Sequence, residues 1–113
     1  MTKTRIDKLI EKWQNILHLS DWKIDYKFVD FKRADNYPQK GDIEVNTQTK
    51  IAIILLKEDQ QDIENTIVHE LVHLMLWDLD HYAERQLLNN QKDKYLELLE
   101  STVTNLTKIF KEM

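Results

Sequence analysis

Apolar positions change period several times along the chain, and each change predicts an element. Across residues 4–19, Ile6, Leu9, Ile10, Trp13, Ile16 and Leu17 recur at steps of three and four, with Lys, Glu and Gln between them. That is the pattern of an amphipathic helix. Ser20 and Asp21 end it. From residue 22 to 31 the period falls to two: Trp22, Ile24, Tyr26 and Phe28 share one face, and Lys23, Asp25 and Lys27 share the other. This predicts a half-buried strand.

Residues 32–40 form a polar loop that holds the only proline, Pro38, and leads to the only glycine, Gly41. Residues 42–46 alternate Asp42 and Glu44 with Ile43 and Val45 and end at Asn46, as an edge strand with one wet face would. Residues 50–56, apolar from Ile51 onward, predict a strand covered on both faces. Asn46-Thr47-Gln48-Thr49 between them suits a hairpin turn.

A second helix is predicted over residues 62–77, capped by Asp59 or Asp62 and closed before Asp78-Leu79-Asp80. Residues 82–111 are helical again, with a break expected at Asn89-Asn90. The order is helix, three strands, helix, helix. It predicts a single α+β domain over residues 1–113. Residues 1–77 carry the first helix, the sheet and the second helix, and 78–113 a C-terminal helical part.

Composition narrows the chemistry. One glycine cannot build a phosphate-cradling loop or a dinucleotide fingerprint. No cysteine means no disulfide scaffold, no cysteine-ligated zinc finger, no iron–sulfur cluster and no thiol nucleophile. Net charge is −4 with no basic run, so nucleic acid is not an expected partner. The apolar run at 51–56 is too short to span a membrane, and the first residues pass into the amphipathic pattern without an apolar signal core. The expectation is a soluble cytoplasmic protein, a monomer or weak homo-oligomer, with no membrane partner.

The second helix carries His69-Glu70-Leu71-Val72-His73. Residues four apart on a helix differ by about 40° around its axis, so both imidazoles project from one face. Their ring nitrogens can reach one zinc ion at about 2.0–2.1 Å. Glu70 stands about 100° round from His69, placed to meet a metal-bound water from the side as a general base. A shuffled chain with the same 4 His would hold roughly 0.01 copies of this motif. Ile63, Ile67, Leu71, Leu74 and Met75 form a core stripe opposite the histidines, while Val68, Val72 and Leu76 flank them on the other side.

Two histidines need a third protein ligand. A third histidine six residues after His73 is ruled out, because that position is Leu79. His81, Glu97 and Glu100 are the candidates. On the last helix Tyr95, Leu96, Leu99, Val103, Leu106, Ile109 and Phe110 make one apolar stripe. Glu100 borders it, whereas Glu97 points about 160° from its centre. Glu100 is the better placed.

These residues carry a resemblance. His69-Glu70-Leu71-Val72-His73-Leu74-Met75-Leu76, followed by Glu100-Ser101-Thr102-Val103-Thr104-Asn105-Leu106, resembles the gluzincin metallopeptidases, and more narrowly the single-domain minigluzincins of bacteria and phages. The resemblance covers nearly the whole chain. It implies a zincin-like fold, with the HExxH motif on the active-site helix and a glutamate ligand on the C-terminal helix. It implies one zinc ion held by His69, His73 and Glu100, with Glu70 polarising water for attack on a peptide carbonyl. It also implies a peptide or protein substrate lying antiparallel along the edge strand Asp42, Ile43, Glu44, Val45 and Asn46. For the oxyanion-stabilising group, His81, Tyr82, Arg85 and Tyr95 are candidates that spacing does not separate. The expected function is a zinc metalloendopeptidase. The alternative is a zinc-stabilised or latent non-catalytic module that binds a peptide or protein on the same fold.

Overall fold

The computed structural model describes residues 4–31 and 39–113; the loop around Pro38 falls outside the described residues. Its elements are α1 (Arg5–Ile16), β1 (Lys23–Phe28), β2 (Gly41–Asn46), β3 (Ile51–Leu56), α2 (Ile63–Met75), α3 (Trp77–Gln86) and α4 (Asn89–Lys111). The class is α+β. No described helix is long and apolar enough to cross a membrane.

Helix α1 opens on a capping box: Thr4 Oγ1 accepts from the Asp7 amide, and the Asp7 carboxylate accepts from the Thr4 amide, both at 3.1 Å. It ends before residue 19, because His18 turns into the left-handed region at φ 57°. The Leu19 amide then donates back to the Gln14 carbonyl at 2.7 Å and the His18 amide to Asn15, closing a Schellman motif. Ile6, Ile10, Trp13 and Leu17 are buried against α2 and β1.

The sheet has strand order β1-β3-β2, with β1 parallel and β2 antiparallel to β3. β1 stops at Phe28, not at residue 31, because its partner strand runs out there in the register Phe28↔Leu56. Phe28, expected on the half-buried face, is exposed at this end of the sheet. β3 is central, yet it is not covered on both faces. Ala52, Ile54 and Leu56 are fully buried, while Ile51 is exposed and Ile53 and Leu55 are only partly covered. The reason is layering: α1 and α2 contact the sheet from its Ala52–Ile54–Leu56 side. On the open face the apolar stripe is flanked in register by Lys23, Asp25, Lys27, Asp42 and Glu44, whose stems can shield it. The β2–β3 turn is shaped by Asn46, whose Oδ1 accepts from the Gln48 and Thr49 amides.

Of the two candidate caps for α2, Asp62 serves, accepting from the Asn65 amide at 3.1 Å. The chain bends at Leu76 (φ −95°, ψ 6°), so the helix expected through residue 77 ends at Met75, and Trp77 starts α3. Asp78 and Asp80 open that helix rather than closing the previous one; acids in a first turn complement the helix dipole. Similarly, Asn89 and Asn90 begin α4. The break lies at the extended residues Leu87 and Leu88, and the Leu88 amide is capped by Gln91 Oε1 at 2.9 Å. α4 packs along α2 through the buried Val103 and Thr107; Met75, Leu96 and Ile109, placed in apolar stripes by their spacing, are exposed.

Candidate metal centre

Helix α2 presents two faces. Ile67, Leu71 and Leu74 sit in the core, with Val68 and Val72 also buried. The remaining face carries Asn65, His69 and His73 at four-residue steps; these three and Trp77, the first residue of α3, line one cleft of about 1010 Å³. One wall is the start of β2 with the residues before it, from Gln39 to Ile43; the other is α4, through Leu96, Leu99, Glu100 and Thr104. Helices α2 and α4 are antiparallel. Lys111 Nζ meets Asp62 at 3.0 Å at one end, and Tyr95 Oη donates to Asp80 Oδ1 at 2.9 Å beyond the other.

That arrangement lays Glu100 across both histidines. Its Oε2 stands 3.3 Å from His69 Nε2 and its Oε1 2.7 Å from His73 Nε2. The imidazoles meet edge to face, with centroids 5.0 Å apart. Among the described residues these three side chains each offer a ligand atom within 4.8 Å of the others. Ligand atoms at about 2.0–2.1 Å from a tetrahedral zinc lie roughly 3.3 Å from one another. The His69–Glu100 distance matches this, and the His73–Glu100 distance is shorter by a fraction of an ångström. The Glu100 side chain, 58% exposed, is free to open that gap. An imidazole–imidazole–carboxylate donor set suits zinc or another borderline divalent ion.

Glu70 is only 7% exposed. Burial pushes its carboxyl up to about 7; nearby Asp42 and Glu100 add to the effect and His69 opposes it. The Glu100 carboxyl goes the other way, held well below the usual range by hydrogen bonds from His69 and then His73. Two carboxyls beside one cluster are therefore tuned apart: one suited to staying ionised as a ligand, the other to exchanging a proton near neutrality. Gly41 makes this packing possible. A Cβ there would lie 2.5 Å from Thr66 Cγ2, 3.3 Å from the Leu55 carbonyl and 3.4 Å from Glu70 Oε2. The strand thus approaches α2 more closely than any other residue allows.

Other predicted residues are placed differently. Glu97 lies on the surface and pairs with Lys94, and His81 stacks on Trp77 with centroids 4.3 Å apart. Neither lines the cleft. Of the proposed edge residues, Asp42 and Ile43 line it, while Glu44, Val45 and Asn46 do not. Lys40 directs its carbonyl to Lys57 on the β3 side, so alternation turns Gly41 and Ile43 to the free edge. There the Gly41 carbonyl accepts from Gln39 Nε2, and the Ile43 amide donates to Asp42 Oδ1. None of the four oxyanion candidates lines the cleft. Tyr95 is committed to Asp80, its phenol pushed up to about 12 by burial and by that carboxylate. His81, Tyr82 and Arg85 line a separate recess. Trp77, Asn65 and Thr104 were not singled out from the sequence. A four-residue step outward from His69, His73 and Glu100 reaches each of them.

No protein-family model, no curated protein and no solved structure matches this chain.

Proposed function

We propose that this chain is a zinc-dependent metallopeptidase of zincin-like fold, in which His69, His73 and Glu100 hold the metal and Glu70 is the general base. The supporting observation is the convergence of two imidazoles and a carboxylate beside a second, buried carboxyl pushed up to about 7. Zinc at such a site supplies a Lewis acid and lowers the pKa of water to about 7. Glu70 then takes a proton from the attacking water and returns it to the leaving amine, which requires a carboxyl close to neutrality. Walls from β2 and α4 flank the cluster, and Gly41 keeps the β2 backbone against Glu70.

The test compares wild type with Glu70→Gln, each loaded with zinc and freed of contaminating protease. Both variants are expected to bind one zinc, and only wild type to cleave unfolded protein substrates. Equal hydrolysis by the two would refute the role of Glu70. Retention of full zinc by His73→Ala would refute the ligand set.

A second reading has its own observation. No oxyanion candidate reaches the cleft among the described residues. A zinc-holding peptide-binding module fits this as well. Stoichiometric zinc with peptide binding and no turnover would select it.

A further inference from the structure

The cleft is chemically lopsided about the His69–His73–Glu100 cluster. Because α2 and α4 are antiparallel, Thr104 stands across from Asn65 on one side of the cluster and Leu96 across from Trp77 on the other. The first side is polar. The second is lined by Trp77, Leu96 and Leu99.

Trp77 is braced from behind. His81 stacks on its ring at an interplanar angle of 28°, and His81 Nδ1 lies 2.9 Å from the Trp77 carbonyl oxygen. The indole also borders the neighbouring recess of about 540 Å³, so it forms a wall shared by two hollows. Leu96 is 41% exposed at the rim. An apolar wall beside a reactive cluster gains free energy when a ligand's apolar group covers it. Asp42, Glu70 and Glu100 outnumber Lys40, the one Lys or Arg among the described residues of the cleft lining, which disfavours an acidic group there. A lysine head against Leu96 and Leu99 would lose hydration without a bonded partner.

We propose that the Trp77–Leu96–Leu99 end is the specificity pocket, taking an aromatic or long aliphatic side chain of an extended peptide beside the bond that lies over the cluster. The reading rests on the proposed peptidase activity for its catalytic consequence, but not for the binding itself.

The experiment has two arms. Zinc-loaded wild type is given a peptide library, and cleavage sites are mapped. Zinc-loaded Glu70→Gln is titrated with fluorescent peptides that differ only in Phe, Lys or Asp at one position. The expected result is at least ~10-fold preference for Phe over Asp and Lys in both arms, falling to about twofold in Trp77→Ala and in Leu96→Ser. The Leu96 variant alters a partly exposed side chain, so it keeps the test sound where Trp77→Ala does not fold. Cleavage without apolar preference, a preference for Lys, or a Phe preference unchanged in both variants overturns the pocket. Trp77-dependent binding of the Phe peptide with no cleavage by wild type sustains the pocket and refutes the peptidase.

Discussion

Two parts of this molecule are held together very differently. α1, the sheet and α2 enclose a core that includes Ile10, Trp13, Ile54, Leu56, Ile67 and Leu71, all nearly or fully buried. α3 contributes no buried residue, and Leu79 and Leu88 are each 67% exposed. α3 is fastened mainly at Trp77 and at the Tyr95–Asp80 hydrogen bond. α4 spans both regimes, since its buried residues, Val103 and Thr107, lie in its C-terminal half. The candidate metal centre sits on the seam. His69, Glu70 and His73 ride on a helix locked by the core, whereas Glu100 stands three residues before Val103, where α4 begins to lose its cover. The two imidazoles are thus pre-organised, and the adjustable member of the candidate cluster is the one on the looser element.

Removing the same side chain from each part separates the two most clearly. Leu71→Ala empties a fully buried site and is expected to cost about 3 kcal/mol. Leu79→Ala is expected to change stability by less than about 0.5 kcal/mol. Urea denaturation of the two variants decides it, and equal losses would place α3 in the cooperative core.

A pH experiment probes the buried side of the seam alone. Burial pushes the Glu70 carboxyl up to about 7 in the folded state, from an ordinary 4.5. Between those values the folded state binds more protons than the unfolded one, so stability falls as pH rises through the window. In protein stripped of metal the loss from below pH 4.5 to above pH 7 is on the order of 3 kcal/mol. Glu70→Gln should remove this slope and be the more stable form at pH 8. A metal-free wild type whose stability rises across the window would show that Glu70 is not buried as an acid.

A smaller effect is expected where β2 meets α2. Gly41→Ala forces its new methyl against Thr66 Cγ2, and Thr66 is buried with its hydroxyl bonded to Gln60. The expected cost is about 1–3 kcal/mol, with peptide hydrolysis reduced and zinc retained. An unchanged melting curve would mean that the strand has room to retreat.

What could be read from the sequence follows the same division. The three-residue stretch Leu71-Val72-His73 is legible because one helix face must enter a core, and the leftover face is then determined. The sheet was legible as three strands with residues 51–56 central and 42–46 at the edge. Its parallel β1–β3 pairing was not, since period-two patterning is blind to strand direction. The open face was missed for a related reason: Ile51, Ile53 and Leu55 are apolar, but no described helix covers them. Around Leu76 and Trp77 the apolar spacing runs through a bend, and a one-residue break leaves no signature in periodicity. Trp77, which the bend turns into the wall of the cleft, was therefore read as a helix end. Glu100 was preferred over Glu97 on angle, and its oxygens are the ones that meet both imidazoles.

The smallest predicted effect tests whether the loose part is one hinged piece. Tyr95 Oη reaches both Asp80 Oδ1 and, at 3.4 Å, the Asp80 carbonyl, so one hydroxyl joins α3 to α4. Tyr95→Phe keeps the ring packing and deletes only those bonds, an expected loss of about 1 kcal/mol. Local fastening and global stability separate here: amide exchange should speed up in α3 while α2 keeps its protection. Zinc affinity should weaken modestly, because the exposed half of α4 also positions Glu100. Faster exchange in α2 to the same degree would mean that the two parts unfold together, and that the seam beneath the candidate metal centre is no boundary at all.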